Sequence, residues 1–395
     1  MKYCVVIIDG ASGWPLQERG GKTCLELAYI PNLDRLAREG SVGLVKTVPD
    51  GMEPSSACAC MSIMGYDPRV YYGGRSAIEA ISMGIPIIEG EVGFRCNLVT
   101  VQDGMMRDYS AGHISDGEAR ALVAALQENL GDREINFYPG VGYRHICKIK
   151  GHEDTLGAIC TPPHDIPGRP VEEYLPKGSG SGLLRELMGR SVDVLRDHPV
   201  NKARESRGEI QATMIWLFWG SGKIPELPSF SDVYGLDASM TSGVDLMKGL
   251  AKMAGIGNLD IPGVTAGMDN DYTAQVAGAL EALRKDDLVF IHIEAPDEAG
   301  HAGNIDDKIM AIEMVDEGVI GKLLSIDATE LRILAMPDHP TPIEVRTHVP
   351  DPVPFVIWGS GIEAEGAAVY SEAEANRMRL LVKDGYNIVQ MLLRG

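Results

Sequence analysis

The hydrophobic pattern of the chain alternates between short apolar runs and longer helical patterns. Continuous runs of β-branched, aliphatic and aromatic residues are typical of central parallel strands, which are buried on both faces. Such runs occupy residues 3–8, 214–219, 288–293, 333–336 and 355–358. Patterns with helical spacing lie between them, at residues 30–39, 271–284, 308–326 and 373–393. The alternation predicts an α/β protein with a mostly parallel sheet that helices cover on both faces.

The pattern changes between about residues 73 and 211, where the apolar runs become shorter and more alternating. Residues 94–101 and 145–149 are examples, and residues 115–118 (SDGE) form a capping-box pattern that opens a helix. We therefore predict a discontinuous core of residues 1–72 and 212–395. A smaller α+β domain of residues 73–211 is inserted into that core.

The composition narrows the classes of partner. The 395 residues include 36 Lys and Arg against 56 Asp and Glu, which gives a net charge of -20. This surplus of acidic residues argues against nucleic acid as a partner, because phosphate backbones require a basic surface. It argues equally against an anionic membrane surface. No stretch approaches the roughly 20 apolar residues of a membrane span, so we expect no membrane partner.

The cysteines and the N-terminus indicate a cellular location. The seven cysteines include no CxxC pair, and an odd number in a long chain does not suggest a disulfide framework. Asp9 interrupts the N-terminal apolar run, so that run is typical of a buried strand and not of a signal peptide. We therefore expect a cytoplasmic protein.

Candidate chemistry lies at the ends of the predicted strands. Asp9, Asp297 and Asp338 each follow a strand directly or after a short turn, where parallel sheets bind ligands. Asp297 and His301 would share one face if that segment is helical. Each residue alone could be a helix cap or a buried hydrogen-bonding group, but together they favour a site for Mn²⁺ or Zn²⁺. Four of the nine histidines fall in this third of the chain, at His292, His301, His339 and His348.

Residues 51–68 (GMEPSSACACMSIMGYDP) supply a candidate nucleophile. Ser56 could lie at the start of a helix, where backbone N–H groups can hold a phosphate. A serine beside a metal can lose its proton and act as a nucleophile. In isolation, however, the commoner role of such a serine is helix capping.

Together these segments resemble the archaeal-type cofactor-independent phosphoglycerate mutases, a family of the alkaline phosphatase superfamily. The motifs are the strand ending at Asp9, residues 54–57 (PSSA) and 61–68 (MSIMGYDP), DEAGH at 297–301, and DH at 338–339 with His348. The resemblance continues through residues 74–75, 94–97, 143–145, 161–166, 201–204 and 215–217. It covers nearly the whole chain and implies an alkaline-phosphatase-like core with an inserted lid domain.

The resemblance also implies a set of metal ligands. One of two divalent ions would be held by Asp297, His301 and His348, and the other by Asp9, Ser56, Asp338 and His339. Mn²⁺ is the first expectation, with Zn²⁺ or Mg²⁺ as alternatives, and no 2,3-bisphosphoglycerate is expected. Three carboxylates and a serine alkoxide would balance two dications, so the centre could receive an anionic phosphoryl group.

The activity that the resemblance implies is the interconversion of 3-phosphoglycerate and 2-phosphoglycerate, a step of glycolysis and gluconeogenesis. Ser56 would accept the phosphoryl group from this small phosphorylated metabolite, and the lid would exclude water. A surface role is the alternative for each expected substrate-binding residue, most of all for Arg75 and Lys248. The side chains expected to bind the substrate are Arg75, Arg95, Arg107, Asp108, Arg204 and Lys248.

Several residues depart from the mutase pattern. Ala57 stands where an acidic residue is usual, and Cys60 stands where the family usually has His or Asn. Tyr109, Ser110 and His113 stand where mutases usually carry arginines, and the loss of guanidinium groups weakens the grip on a doubly anionic substrate.

Three other functions therefore stay open. Residues 338–342 (DHPTP) resemble a bacterial branch proposed to be homoserine kinase, whose zwitterionic substrate needs fewer arginines. No phosphate-binding loop of the Walker type is present, which is mild evidence against a kinase. A metal-dependent phosphatase is a second alternative. The expected lid argues against it, because a lid is useful chiefly where water must be excluded. A non-catalytic phosphometabolite-binding protein is a third, and the full set of expected ligands argues against it.

Overall fold

The chain divides into two compact units. The computed structural model describes residues 1–326 and 330–394. Its first unit comprises Met1–Tyr72 and Glu226–Gly395, and its second comprises Gly73–Pro225. The second unit thus extends to Pro225, whereas the sequence predicted that it ends at residue 211. The reason is the strand of residues 214–221, which pairs with a strand of the second unit.

The strands, in chain order, are β1 (Lys2–Ile8), β2 (Ser41–Val45), β3 (Glu91–Gln102), β4 (Met105–Asp108), β5 (Ile135–Tyr138), β6 (Arg144–Lys150), β7 (Ala158–Ile159), β8 (Lys177–Gly178), β9 (Met214–Ser221), β10 (Ala238–Thr241), β11 (Gly257–Asn258), β12 (Leu288–Ile293), β13 (Leu331–Met336), β14 (Val353–Gly359) and β15 (Leu381–Val382).

The α-helices are α1 (Cys24–Leu27), α2 (Pro31–Glu39), α3 (Ser56–Ile63), α4 (Pro68–Tyr71), α5 (Arg75–Ser82), α6 (Asp116–Leu130), α7 (Ser181–Arg196), α8 (Pro199–Ser206), α9 (Phe230–Tyr234), α10 (Asp245–Met253), α11 (Tyr272–Leu283), α12 (Ala295–Ala302), α13 (Ile305–Val315), α14 (Gly321–Leu323), α15 (Glu372–Met378) and α16 (Ile388–Arg394).

The first unit is built on one large sheet with the strand order β11-β10-β12-β1-β13-β14-β2-β15. Neighbouring strands are parallel, except that β14 is antiparallel to both β13 and β2. The central strands β12, β1 and β13 are almost completely buried. Continuous apolar runs such as that of β1 form these strands because both of their faces must be apolar.

Helices cover both faces of this sheet. Cys4, Val6 and Ile8 of β1 share a core cluster with residues of α2, α11 and α13. Val5 and Ile7 point to the opposite face, because successive side chains of a strand alternate, and they are also fully buried. On that second face α3, α10 and α16 pack together, with α10 against β10 and α16 against β13. The α/β fold class predicted from the sequence is confirmed.

The second unit contains an antiparallel sheet and packed helices. Its long central strand β3 pairs with β6 on one side and with β9 on the other, while β5 pairs with β6 and β4 with the end of β3. Residues of α6 and α7 share a core cluster with these strands. The prediction that residues 214–219 belong to the large parallel sheet is wrong. Both faces of β9 are buried, so its apolar run resembles that of a central parallel strand.

Two predicted helices are also interrupted. The pattern at residues 308–326 comprises α13, a π-helical turn at Asp316–Ile320, and α14. The pattern at residues 373–393 is not one helix, because Arg379 ends α15 in a left-handed conformation with a φ of 58° and β15 then joins the sheet edge. Across residues 1–326 and 330–394, the structure has no helix with the length and apolarity that a membrane crossing requires.

Candidate active site

Three acidic residues meet at one edge of the large sheet. Asp9 directly follows β1, Asp338 lies two residues after β13, and Asp297 lies in α12, which follows β12. Since β12, β1 and β13 are adjacent and parallel, their carboxyl ends lie side by side. All three aspartates are buried. The fold thus concentrates negative charge at a point that water reaches poorly.

Asp297, His301 and His348 form the first group of potential metal ligands. Residues 297 and 301 lie four apart in α12, so they share a helix face as their spacing predicted. Oδ2 of Asp297 lies 3.1 Å from Nε2 of His301 and 3.5 Å from Nε2 of His348. The two Nε2 atoms are only 2.9 Å apart. Three ligand atoms therefore face a common point, as they would around one cation.

Hydrogen bonds orient this first group. Nδ1 of His301 lies 2.9 Å from the carbonyl oxygen of Arg346, which can only accept. Nδ1 therefore carries the proton, and in the neutral ring the lone pair of Nε2 faces Asp297. Thr341 donates its hydroxyl to Oδ1 of Asp297 and leaves Oδ2 to the two histidines. Burial lowers the pKa of His301, but the hydrogen bond and charge of Asp297 outweigh it and raise this pKa to about 9.

Asp9, Asp338 and His339 form the second group, and Ser56 lies beside it. Nε2 of His339 lies 3.6 Å from Oδ1 of Asp9, 3.2 Å from Oδ2 of Asp338 and 3.2 Å from the Ser56 hydroxyl. Burial lowers the pKa of His339 to about 4, so its ring is neutral near pH 7. Burial, and then the charge of Asp338, raises the pKa of Asp9 well above its usual range. Without a cation, the second group resists full ionisation.

The two groups are neighbours. The rings of His339 and His348 stack with their centroids 3.8 Å apart and an angle of 28° between their planes. One histidine belongs to each group, so a single cluster contains all seven residues that the family pattern assigned to metals.

Ser56 is not needed as a helix cap. It is the first residue of α3, and the N-cap is the preceding Ser55, whose Oγ accepts a hydrogen bond from the Cys58 N–H at 3.3 Å. The capping role considered for Ser56 is therefore performed by Ser55. The Ser56 hydroxyl instead faces His339, where it is 7% exposed.

Two of the residues that depart from the mutase pattern lie in α3. Cys60 donates its thiol hydrogen to Oδ2 of Asp338 over 3.6 Å. Burial, and then the charge of Asp338, raises the pKa of this thiol well above its usual range, so it stays protonated. Ala57 is fully buried. The thiol thus orients a carboxylate of the second group.

Sequence reasoning named His292 without giving it a role, and it missed Glu294. Nε2 of His292 lies 2.9 Å from Oδ2 of Asp9 and 3.7 Å from Oε2 of Glu294. His292 and Glu294 form a third group of potential ligands with Asp9. The register of β1 and β12 could have revealed Glu294, because it aligns Ile8 with Ile293 and so places Glu294 beside Asp9.

Two of the arginines expected to bind substrate share a buried partner in the second unit. Arg95 is 7% exposed and donates to Glu79 and, over 3.0 Å, to Asn97. Arg75 donates to Glu79 over 2.9 Å and lies over the ring of Trp219 at 4.4 Å. Both guanidinium groups therefore have a partner within the unit.

The remaining expected substrate residues are scattered. Arg204 is 4% exposed and donates to Glu118 over 2.7 Å and to the carbonyl oxygen of Ile210 over 2.7 Å. Arg107 is exposed and donates to Gln102. Asp108 accepts from the Ser110 N–H and hydroxyl in a local turn. Lys248, on α10 of the first unit, lies 3.9 Å from Asp245.

Aromatic rings occupy the region where mutases usually carry arginines. The ring of Tyr109 lies edge-on to Tyr143 at 6.0 Å and to His164 at 6.2 Å. His113 contacts Tyr143 at 6.5 Å, and His164 contacts Trp219 at 5.5 Å. The departures at residues 109 and 113 thus belong to one ring cluster of the second unit, which sequence reasoning did not identify.

Comparisons with known proteins fit this geometry. Residues 37–201 match the family model described as 2,3-bisphosphoglycerate-independent phosphoglycerate mutase. A protein of that name from Methanothrix thermoacetophila is 47% identical over 398 residues, which cover 100% of both chains.

Two solved structures are similar over the whole chain. One, a Pyrococcus horikoshii protein, has a TM-score of 0.82 and 28% identity, with 100% of this chain and 96% of that one covered. The other, a cofactor-independent phosphoglycerate mutase from Thermoplasma acidophilum, has a TM-score of 0.64 and 25% identity, with 100% and 99% covered. The chain belongs to the family of 2,3-bisphosphoglycerate-independent phosphoglycerate mutases.

Proposed function

We propose that the protein interconverts 3-phosphoglycerate and 2-phosphoglycerate, with Ser56 as the phosphoryl acceptor. The observation that carries the proposal is the hydroxyl of Ser56, which lies 3.2 Å from Nε2 of His339 in a cluster of three buried aspartates and three histidines. The names of the family relatives support the same reaction.

The donor set of the cluster fits two divalent cations. Asp297, His301 and His348 would hold one, and Asp9, Ser56, Asp338 and His339 the other. Oδ1 of Asp9 is buried and has no hydrogen-bond partner within the described residues, which is costly unless a cation replaces that partner. Carboxylate and imidazole ligands suit Mn²⁺, which we propose first, and Zn²⁺. The bound ions would supply positive charge that favours the Ser56 alkoxide and neutralises the phosphoryl oxygens.

The chemistry at Ser56 is two successive phosphoryl transfers. Its hydroxyl loses a proton, Oγ forms a bond to phosphorus, and the bond from phosphorus to the C3 oxygen of the substrate breaks. The leaving oxygen gains a proton, so charge and atoms balance. The glycerate then reorients, its C2 hydroxyl loses a proton and attacks the phosphoserine, and Ser56 recovers its hydroxyl. Backbone N–H groups at the start of α3 would stabilise the charge that develops on the phosphoryl oxygens.

The second unit is proposed to bind substrate and to exclude water, as the family resemblance implies. Arg75, Arg107 and Lys248 remain proposed substrate contacts because none of them is buried. For Arg95 and Arg204, whose partners are internal, a role in holding the unit together is the better supported one. The cytoplasmic location stays a prediction.

One observation supports a second candidate function. The rings of Tyr109 and His113 stand where several guanidinium groups would favour a doubly anionic substrate. A phosphotransferase that uses ATP and an amino-acid alcohol such as homoserine would have less need of them. A metal-dependent phosphatase would use the same Ser56 and ligands, with water as the final acceptor.

Phosphorus NMR distinguishes these reactions. The Mn²⁺-loaded protein is incubated with 3-phosphoglycerate alone in one tube and with ATP and homoserine in another. We expect a 2-phosphoglycerate signal in the first tube without added ATP. Phosphohomoserine in the second tube alone would favour the kinase, and inorganic phosphate as the sole product would favour the phosphatase.

The matched variants are Ser56→Ala and Ser55→Ala. The first should abolish formation of 2-phosphoglycerate because it removes the acceptor oxygen. The second should retain the reaction and lower the free energy of unfolding by about 1 kcal/mol, because it removes only a helix cap. Normal turnover by Ser56→Ala would disprove the covalent route.

A further inference from the structure

We propose that Glu372 is a positioning residue of the metal cluster, which acts by holding the loop of residues 10–13 in place. The proposal rests on the proposed function, because that function gives the cluster its two cations. Glu372 is the first residue of α15 and belongs to none of the groups of potential ligands. Its influence on a bound cation must therefore pass through the residues that it contacts.

The loop of residues 10–13 directly follows Asp9 and lies against carboxylates of both ligand groups. The Gly10 N–H donates to Oδ1 of Asp338 over 3.1 Å. Gly10 has a φ of 61°, and a Cβ at this position would collide with the side chain of Asp297. The backbone of the loop thus fills the space beside Asp338 and Asp297, so a shift of the loop would displace them.

Ser12 connects the loop to the first ligand group. Its carbonyl oxygen accepts the Thr341 N–H over 3.1 Å and the ammonium group of Lys308 over 3.1 Å. The hydroxyl of Thr341 in turn donates to Oδ1 of Asp297. Two successive hydrogen bonds therefore lead from the backbone of Ser12 to a carboxylate that faces the proposed cation.

Glu372 holds the other side of this loop. Its Oε1 accepts the Ser12 hydroxyl over 2.9 Å and the Gly13 N–H over 3.1 Å. Its Oε2 accepts the Thr23 hydroxyl over 2.7 Å, which ties the carboxylate to the start of α1. Ser12 is buried, so without Glu372 its hydroxyl would lose an acceptor where water hardly reaches. The carboxylate thus fixes two consecutive residues of the loop.

The acceptor oxygens of Glu372, and not its charge, are what the loop requires. A glutamine at this position could accept from Ser12 and Gly13 with its amide oxygen, while its NH₂ group donates to the hydroxyl oxygen of Thr23. A methionine has a similar size but offers no such acceptor. These two substitutions therefore separate positioning by hydrogen bonds from an effect of charge.

Mn²⁺ affinity tests the proposal without measuring turnover. The full-length chain is stripped with a chelator and titrated with Mn²⁺, while electron paramagnetic resonance reports the free ion. We expect Glu372→Met to weaken Mn²⁺ binding by roughly 10-fold, because partners behind metal ligands commonly change affinity by at least that factor. Glu372→Gln should bind Mn²⁺ with nearly the wild-type affinity.

The matched control is Glu374→Met, which makes the same change two residues further along α15. The carboxylate of Glu374 accepts from the Arg377 side chain and the Ala368 N–H. Its loss should lower the melting temperature and leave the Mn²⁺ affinity unchanged. If Glu372→Met does not fold, Ser12→Ala removes one of the two loop bonds and should weaken Mn²⁺ binding by roughly 3-fold.

Wild-type Mn²⁺ affinity in Glu372→Met, or equal weakening in Glu372→Met and Glu372→Gln, would overturn the positioning role. Equal weakening in Glu374→Met would overturn it as well, because the effect would then follow general stability. Any of these results leaves the proposed function intact if the wild type forms 2-phosphoglycerate. Weaker Mn²⁺ binding in Glu372→Met alone, with no 2-phosphoglycerate formed by the wild type, would contradict the function and support the positioning role.

Discussion

The two units of the molecule bury charge in opposite ways. At the sheet edge of the first unit, carboxylates converge, and oxygens of Asp9 and Glu294 remain buried without a hydrogen-bond partner among the described residues. In the second unit, Glu79 is buried with Arg95, and Arg204 is buried with Glu118 beside it. A buried charge is costly unless it is paired. The unmatched charges therefore mark where a ligand belongs, while the matched charges hold the fold together.

Disrupting the first group of metal ligands should reduce activity more than any other change proposed below. Asp297→Asn removes the carboxylate that faces both His301 and His348. We expect the variant to bind one fewer metal ion and to lose activity by a factor of roughly 10³, because metal neutralisation of a transferred phosphoryl group contributes several kcal/mol. Metal analysis and a steady-state assay measure the two effects.

The control for this variant is Asp306→Asn, which changes an exposed aspartate near the start of α13. Its activity and metal content should equal those of the wild type. An Asp297→Asn protein that keeps its full complement of metal would contradict the assignment of this carboxylate.

A smaller effect is expected from a residue that positions the ligand loops. Lys308 is completely buried and donates to the carbonyl oxygens of Ser12 over 3.1 Å and of Thr341 over 2.7 Å. Thr341 in turn donates to Asp297. Lys308→Met should weaken Mn²⁺ binding by roughly 10-fold to 100-fold, as changes behind a metal ligand commonly do.

Mn²⁺ titration of the folded variant separates positioning from general stability. The exposed Lys322→Met is the matched control and should bind Mn²⁺ with wild-type affinity. If Lys308→Met lowers only the melting temperature of the metal-free chain and leaves Mn²⁺ affinity unchanged, Lys308 does not position the site.

Changes to the buried ion pair of Glu79 and Arg95 in the second unit should affect catalysis least. Burial raises the pKa of Glu79, but the charges of Arg95 and Arg75 outweigh it and lower this pKa to about 2. The ionised form is therefore favoured in the folded chain. Its contribution to stability is complete above the ordinary pKa of 4.5 and is lost as the pH falls from there towards 2.

Glu79→Gln should lower the free energy of unfolding by about 3 kcal/mol at pH 7, because Arg95 would stay buried without a counter-charge. The difference from the wild type should shrink as the pH falls below 4.5. Urea unfolding at several pH values measures it. Glu186→Gln, an exposed partner of Arg190, should cost less than about 0.5 kcal/mol. Equal losses of unfolding free energy in the two variants would mean that the buried ion pair stabilises the fold no more than the exposed one does.

The sequence predicts those functional residues that lie directly after a strand. Asp9, Asp297 and Asp338 could be found because each follows an apolar run, and adjacent parallel strands end at the same edge. The helical spacing of residues 297 and 301 is equally local, and α12 confirms it. Such features depend on a few consecutive residues, so one sequence contains them.

Features set by distant partners are harder to predict. The apolar run of β9 does not show which sheet it joins, because both faces are buried in either case. Arg204 and its partner Glu118 are 86 residues apart, so no local pattern distinguishes this arginine from one that binds substrate. Glu294 escaped notice because its place beside Asp9 depends on the register of two strands far apart in sequence.

In the proposed mechanism, the unmatched charges of the first unit surround Ser56, which carries the phosphoryl group between the two transfers. Rapid acid quenching of the Mn²⁺-loaded protein during turnover of 3-phosphoglycerate, followed by peptide mass mapping, tests it directly. We expect one added phosphoryl group on the peptide that contains Ser56 and none in Ser56→Ala. Turnover with no phosphorylated Ser56, or a phosphoryl group on another residue, would contradict it.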